Sequence, residues 1–328
     1  MRRRQFMTLL GGAAAWPLAA RAQQPERMRR VAILTPYPPS DAEMQGRVRV
    51  LRQELERLGW TAGVNVQFDE RWTTDNMDLV RANASGLLGL NPDVVVANGG
   101  RVIPILMQLT RTIPIVIPGG FDPVGVGWVE SIARPGANVT GFAIMEPSVL
   151  GKTLQLLKQI APNLKRVALI FNPDNPNTTS SAKWFESYAQ PVGVEPILTR
   201  IHGLADIERA TATMAPGGEE GVLFPLDLSI QALREQVIAL MARRRIPAAY
   251  LERSFVAAGG LLCYATDPLD GYRGVAAYVD RILRGEKPAD LPCQQPTKYK
   301  LSINLKAAKA IGIELPLNVL VLADEVIE

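Results

Sequence analysis

Short runs of apolar, β-branched residues alternate with amphipathic stretches along the chain from Arg30 onward. Residues 31–34 are continuously apolar, which is typical of a strand buried on both faces of a sheet. Apolar side chains then recur at intervals of three and four, on one face of a helix: Met44, Val48, Leu51, Leu55 and Leu58. A capping box at residues 40–43 predicts the start of this helix at Ser40, and Gly59 predicts its end. The alternation predicts βαβ units and a parallel sheet.

The same pattern continues through both halves of the chain. Further strands are predicted at residues 64–68, 93–97, 113–117, 221–224, 248–250 and 261–264. Helices are predicted after Ser229 and after Asp267, where an N-cap precedes a proline. Residues 166–173 repeat the pattern of residues 30–36, so the second half restarts the arrangement of the first. Because 328 residues exceed what one hydrophobic core usually supports, two lobes are expected.

The composition is that of a globular protein, with 47% hydrophobic and 21% charged residues, which excludes disordered, collagen-like and coiled-coil chains. The formal charge of +4 raises the question of a nucleic-acid partner. Four of the arginines, however, lie within the first 22 residues, and without them the chain has 32 basic and 32 acidic residues. We therefore expect no nucleic-acid partner.

The first 22 residues have the pattern of a cleavable secretory signal. A basic start precedes an apolar run at residues 6–20, and an Ala-x-Ala site at residues 20–22 follows. The alternative, a membrane anchor, is disfavoured because the run is short and Pro17 interrupts it. The Arg3-Arg4 pair is typical of a twin-arginine signal, and the general secretory route remains an alternative. We expect cleavage near Ala22 and a periplasmic mature protein.

The two cysteines, Cys263 and Cys293, could form a disulfide in an oxidising compartment. The favoured interpretation is two buried free thiols, because free cysteine is often a core residue. The chain has one histidine, His202, and no Cys-x-x-Cys pair, so no metal site and no cofactor are predicted. Nucleophile-elbow, P-loop and dinucleotide-binding motifs are absent as well. These absences disfavour the corresponding enzyme classes, whereas catalysis by a pair of carboxylates stays open at this point.

Polar and turn-forming residues follow the predicted strands, where ligands bind in open α/β sheets. Glycines there allow backbone N–H groups to approach a ligand, and helix N-termini favour an anion. Each loop has an alternative explanation as turn chemistry, and each tyrosine as a core residue. The candidate ligand-binding residues are Thr35, Tyr37, Asn98, Gly99, Gly100, Arg101, Asp122, Asn172, Asn175, Asn177, Asp227, Tyr250 and Tyr264.

The chain resembles the periplasmic substrate-binding proteins of ABC importers, in the group that includes tryptophan- and tyrosine-type binding proteins. The shared segments are residues 3–12, 71–72, 113–116, 122–124, 134–141, 172–177, 257–260, 285–292 and 323–328. Each segment is short, but their common order runs over nearly the whole chain. Residues 265–268 depart from the group's usual pattern, and a small hydroxyl residue is missing near Arg101. The resemblance therefore does not identify the ligand.

The resemblance implies an α/β fold of two Rossmann-like lobes with parallel sheets joined by a hinge, the type I periplasmic-binding fold. We expect a signal peptide at residues 1–22, a first lobe from residues 26–144 and 254–295, and a second lobe from residues 145–253 and 296–328. The implied function is binding of a small ligand, an amino acid or related organic acid, by a monomer that delivers it to an ABC permease. The resemblance also implies no catalysis, so we expect a protein that is not an enzyme. The alternatives are an exported enzyme with carboxylate-based hydrolase chemistry and a sensor subunit for a membrane receptor.

Overall fold

The computed structural model describes residues 27–74 and 76–328, so the predicted signal sequence lies outside the described residues. Five parallel strands form the first sheet in the order β2-β1-β3-β4-β5. Their bounds are β1 Arg29–Thr35, β2 Val66–Trp72, β3 Val94–Ala97, β4 Ile115–Ile117 and β5 Val139–Gly141. The helices between them are α1 Ala42–Arg57, α2 Met77–Leu88 and α3 Val102–Leu109.

The rest of the chain builds a second sheet of seven strands in the order β12-β11-β10-β9-β8-β6-β7. The strands are β6 Arg166–Phe171, β7 Glu195–Arg200, β8 Glu220–Phe224, β9 Ala248–Tyr250, β10 Leu262–Ala265, β11 Lys300–Asn304 and β12 Glu325–Ile327. The helices are α4 Ser148–Ile160, α5 Pro176–Val192, α6 Leu204–Thr211, α7 Leu228–Ala232, α8 Arg234–Arg244, α9 Arg253–Ala257, α10 Pro268–Leu283, α11 Leu305–Ala310 and α12 Leu317–Leu322. The pairing of β10 with β11 is antiparallel, and the other pairings are parallel.

Local sequence explains how the helices that reach the cleft begin. Asp41, one residue later than the predicted cap Ser40, accepts the Met44 amide at 2.7 Å and starts α1. Asn175 caps α5, and Pro176 fits its first turn because a proline needs no intrahelical partner there. Asp267 caps α10 in the same way, as the sequence predicts.

The chain crosses between the lobes three times. It leaves the first sheet after β5, returns with α10, which packs on α1, and crosses again before β11. The crossing segments also contact each other, since Ala143 donates its amide to the Gln294 carbonyl oxygen at 2.8 Å, and Thr266 donates its hydroxyl to the Ile144 carbonyl oxygen at 2.9 Å. These segments form the hinge.

The position of the second crossing differs from the lobe limits expected from the sequence. Residue 254 was expected to begin the return to the first lobe, yet β10 still belongs to the second sheet. The physical reason is packing, because Val256 of α9 and Cys263 of β10 share one buried cluster with Ala265. The first element on the first lobe is α10, whose Tyr272 and Val275 join the core around β1.

Candidate functional site

The carboxyl ends of the parallel strands in both sheets face one another across a cleft between the lobes. The lobes are closed and enclose a cavity of about 60 Å³, room for several water-sized groups. Near the hinge it adjoins a wider groove of about 810 Å³, and Arg47 and Glu252 line both spaces. The cavity has the place and the polar lining expected of a small-ligand site in an open α/β sheet.

The first lobe contributes residues that follow β1, β3 and β4. Tyr37 is buried and donates its hydroxyl to Gln231 Oε1 of the second lobe at 3.2 Å. Asn98, Gly99 and Gly100 follow β3 and lie at the N-terminus of α3. Gly99 has φ = 96°, a conformation that favours glycine. The loop thereby brings backbone close to the second lobe.

The second lobe contributes Asn175, Asn177 and Asp227, all buried. Asn175 donates its side-chain amide to Asp227 Oδ2 at 2.7 Å. Asp227 Oδ1 caps α7 by accepting the backbone amides of Ser229 at 2.9 Å and Ile230 at 3.2 Å. Both carboxylate oxygens of Asp227 are therefore occupied by the protein itself, which makes this side chain part of the wall.

A buried ion pair connects the lobes where the cavity meets the groove. Arg47 Nη2 of α1 lies 3.2 Å from Glu252 Oε1, which also accepts the side-chain amide of Gln231 at 3.1 Å. The Arg47 and Glu252 side chains are only 11% and 6% exposed. Water and salt screen such a shielded ion pair only weakly, and loss of one partner is costly because it leaves the other charge buried and unpaired.

The ionisation of these groups follows from their surroundings. Burial raises the pKa of Glu252 above its ordinary value, and the neighbouring Arg47 offsets only part of that effect. Burial by itself lowers the pKa of Arg47, but Tyr37 and Glu252 outweigh it, so this pKa is raised and the guanidinium stays charged. Burial and the charge of Glu252 raise the pKa of Tyr37, which therefore acts as a neutral hydroxyl.

The structure brings seven of the sequence-predicted residues to the cavity: Tyr37, Asn98, Gly99, Gly100, Asn175, Asn177 and Asp227. Arg101 lines a small adjoining cavity together with Gly100 and Asn175. The remaining five candidates lie outside the cavity lining: Thr35, Asp122, Asn172, Tyr250 and Tyr264.

Local packing explains why these five candidates do not line the cavity. Tyr250 is a core residue stacked between Phe224 and Phe255, and Tyr264 stacks on Tyr299 beside the hinge. Thr35 is fully buried at the end of β1. The Asn172 side chain donates to the Ser229 hydroxyl and accepts the Asp174 amide.

Asp122 contacts the opposite lobe instead of the cavity. Its Oδ2 accepts the hydroxyl of Ser180 at 2.8 Å and the indole N–H of Trp184 at 3.0 Å, both from α5. Its Oδ1 accepts the amide of Gly125 at 2.9 Å. Asp122 therefore joins the two lobes directly and does not face a ligand.

Sequence reasoning missed Arg47, Gln231 and Glu252. Arg47 and Gln231 lie on helices, which a search of strand ends does not reach. Glu252 lies two residues after the end of β9, where ligand-binding residues of α/β sheets are expected, but Tyr250 at the end of this strand was chosen as the candidate instead.

Other chemistry is scarce in the described part of the chain. Cys263 and Cys293 are buried free thiols in separate clusters. Burial raises the pKa of Cys293 to about 11, so this thiol is protonated at neutral pH. Among the described residues, no group of His, Cys, Asp and Glu is placed to hold a metal ion, and no helix is long and apolar enough to cross a membrane.

Comparison with known proteins identifies similar substrate-binding proteins by sequence. The model of a family described as ABC transporter substrate binding protein matches residues 31–327. A tyrosine-binding protein of Clostridioides difficile is 24% identical over 286 residues, covering 87% of this chain and 80% of the relative.

Two solved structures show the same fold. An ABC domain from Streptococcus pneumonia in complex with L-Trp has a TM-score of 0.83 at 22% identity, covering 91% of this chain and 99% of the other. The ligand-free, open structure of a substrate-binding protein with adhesive properties from Clostridium difficile has a TM-score of 0.68 at 22% identity, covering 91% and 99%.

Proposed function

Because the chain belongs to the ABC transporter substrate-binding family, we propose that its ligand is an amino acid or a related small organic acid, held in the cavity between the lobes. One observation carries this proposal: polar groups from both lobes, Tyr37 and Asn98 on one side and Asn177 and Glu252 on the other, converge on one enclosed space. A ligand that contacts both walls stabilises the closed form by its differential affinity for that form.

The chemistry of the cavity supports a polar ligand of modest size. Its walls are largely apolar, most of its polar side chains are neutral donors and acceptors, and its charged side chains are two arginines and two carboxylates. Such a lining recognises hydrogen-bonding groups and favours no large net charge. The names of the relatives, which include a tyrosine-binding protein and an L-Trp complex, support an amino acid in particular.

Ligand binding is coupled to rotation of the lobes about the hinge, with water entering the cleft in the open form. Closure joins the lobes by direct contacts such as Tyr37 to Gln231, which open lobes cannot make. The closed form then presents a single surface, composed of both lobes, to the ABC permease. We propose that the protein carries its ligand as a monomer.

We propose that the chain is exported to the periplasm and that its signal peptide is cleaved near Ala22. Substrate-binding proteins of ABC importers act outside the cytoplasm, and the first 22 residues have the order expected of a signal peptide. The mature chain from Gln23 would be formally neutral at pH 7 instead of +4.

Calorimetric titration of the mature chain with the twenty amino acids and their deaminated acids tests the proposal. We expect saturable binding of at least one amino acid, together with a smaller radius of gyration in X-ray scattering when that ligand is added. Binding by no member of the panel, or binding without closure, would contradict the proposed ligand class and mechanism. Turnover of the bound compound would revive the alternative of an enzyme.

A further inference from the structure

The Glu252 carboxylate has one oxygen that the described residues leave without a hydrogen bond. Oε1 accepts from Arg47 and Gln231, whereas Oε2 accepts nothing from the described part of the chain. Glu252 is 6% exposed and lines the cavity and the adjoining groove, and Oε2 is not among the fully enclosed atoms that lack a partner. A buried carboxylate oxygen with an open side favours a donor that enters from the cavity, because leaving it unpaired is costly.

The other carboxylates near the cleft are already engaged. Both oxygens of Asp227 bond to the protein, and Asp122 bonds to Ser180 and Trp184 outside the cavity lining. Among the described residues that line the cavity, Glu252 is thus the carboxylate with a free oxygen.

The charges around the cavity balance. Arg47 pairs with Glu252 across the cleft, and Arg253 pairs with Glu325 outside the cavity. A ligand with only a negative charge would offer no cation to the Glu252 oxygen, and a ligand with only a positive charge would leave the closed cavity with a net charge. A zwitterion meets both needs, because its carboxylate can turn towards Arg47 or the N-terminus of α3, where Gly100 lines the cavity.

We propose that Glu252 Oε2 binds the ammonium group of a zwitterionic ligand, so that the ligand class is the amino acids and not the plain organic acids. This inference rests on the proposed function. An ammonium carries three N–H donors on a compact charge, and Glu252 accepts one of them while the neutral groups of the cavity accept the others. Arg47 holds the Glu252 carboxylate in position through its hydrogen bond to Oε1.

The experiment compares an amino acid with the same molecule lacking its amino group. The pairs are L-tyrosine with 3-(4-hydroxyphenyl)propionate, L-tryptophan with indole-3-propionate and L-leucine with 4-methylpentanoate, extended to any amino acid that the mature chain binds. We expect the wild type to prefer the amino acid about 10- to 100-fold, the effect of a hydrogen bond between charged groups. The Glu252→Gln variant keeps the shape and the hydrogen bond to Arg47, and it should lose this preference.

The matched control is Glu43→Gln, which removes the other carboxylate beside Arg47, at 3.5 Å and half exposed. It should leave the preference for the amino acid unchanged. If Glu252→Gln weakens both members of a pair equally, Glu252 serves only lobe closure and the inference is wrong. A wild type that binds both members equally also overturns it, while the proposed function stands. A wild type that binds no amino acid and no analogue overturns the proposed function instead.

Discussion

Gly100 lies beside the cavity at a close approach of the two lobes. A Cβ atom at this position would lie well inside van der Waals contact of Asn175 Oδ1 and 2.8 Å from Asn177 Nδ2. These side chains cannot easily move away, because Asn175 is held by its bonds to Asp227 and to the Asn177 amide. Glycine is required here for closure of the lobes and not for an unusual backbone angle.

We therefore expect Gly100→Ala to weaken ligand binding about 5- to 150-fold, since overpacking a rigid contact costs about 1–3 kcal/mol. The open form has no such contact, so the unfolding temperature of the ligand-free protein should change little. Calorimetry and thermal unfolding measure the two effects. Gly86→Ala is the control, because a Cβ there meets nothing within 4 Å on the exposed face of α2. Equal affinities in both variants would exclude this role for Gly100.

The sequence could predict only those cavity residues that follow the ends of strands. Tyr37, Asn98 and Asp227 come within three residues of the ends of β1, β3 and β8, so topology brings them together. Arg47 could not be found in this way, because its place depends on the rotation of α1 and on a partner 205 positions away in the sequence. Whether a tyrosine stacks in a core or lines a cleft is likewise a question of packing.

At the scale of elements, the apolar periodicity of α10 alone leaves its lobe undetermined, although the lobe limits implied by the resemblance place this helix in the first lobe, where it lies. The helix follows a strand of the second sheet but packs against α1 and β1 of the first lobe. Its apolar face, which includes Tyr272 and Val279, predicts that the helix covers a sheet and does not say which sheet. The strands β1–β4, β6 and β8–β10 were predictable because short apolar runs between turns have few alternative structures. The short strands β5 and β12 and the more polar strands β7 and β11 were not predicted.

Small residues in α10 allow this helix to lie against the end of the first sheet. A Cβ at Gly271 would fall well inside contact of the Pro118 carbonyl oxygen, a backbone atom that cannot rotate away. We expect Gly271→Ala to lower the free energy of unfolding by about 1–3 kcal/mol, although alanine is the better helix former. Urea denaturation measures this change.

Gly86→Ala provides the comparison within a helix that is not closely packed at that position. There the substitution should raise the free energy of unfolding by about 0.5–1 kcal/mol, because glycine loses more backbone entropy on folding. If Gly271→Ala stabilised the protein as much as Gly86→Ala, α10 would not be held at the distance from Pro118 that the structure gives.

At the scale of the whole molecule, contacts on two sides of the cavity hold the lobes together. Arg47 and Glu252 join them at the groove near the hinge, and Asp122 joins them to Ser180 and Trp184 of α5. Residues 23–328 are formally neutral, because four arginines of the first 22 residues account for the +4, so no global field of this part of the chain drives closure. Closure depends on these local contacts and on the ligand.

Asp122 makes closure dependent on pH. Burial alone raises the pKa of this carboxyl, but hydrogen bonds from Trp184, Gly125 and Ser180 and the charge of Lys183 outweigh it and hold the pKa below the ordinary 3.8. The bonds from Ser180 and Trp184 exist only when the lobes are closed. Ionised Asp122 thus favours the closed form, fully above the ordinary pKa, and this contribution disappears as the pH falls through the lower pKa of the closed form.

The affinity ratio of wild type to Asp122→Asn isolates this contribution, because Glu252 titrates in both proteins and cancels. We expect the wild type to bind more tightly at pH 7, by a factor that stays constant down to about pH 4 and then shrinks towards one. Calorimetric titrations from pH 7 to pH 3, limited to conditions in which circular dichroism reports a folded protein, measure the ratio. A ratio of one at pH 7 would mean that the contacts of Asp122 contribute nothing to closure, and a ratio that grows in acid would reverse the sign of the linkage.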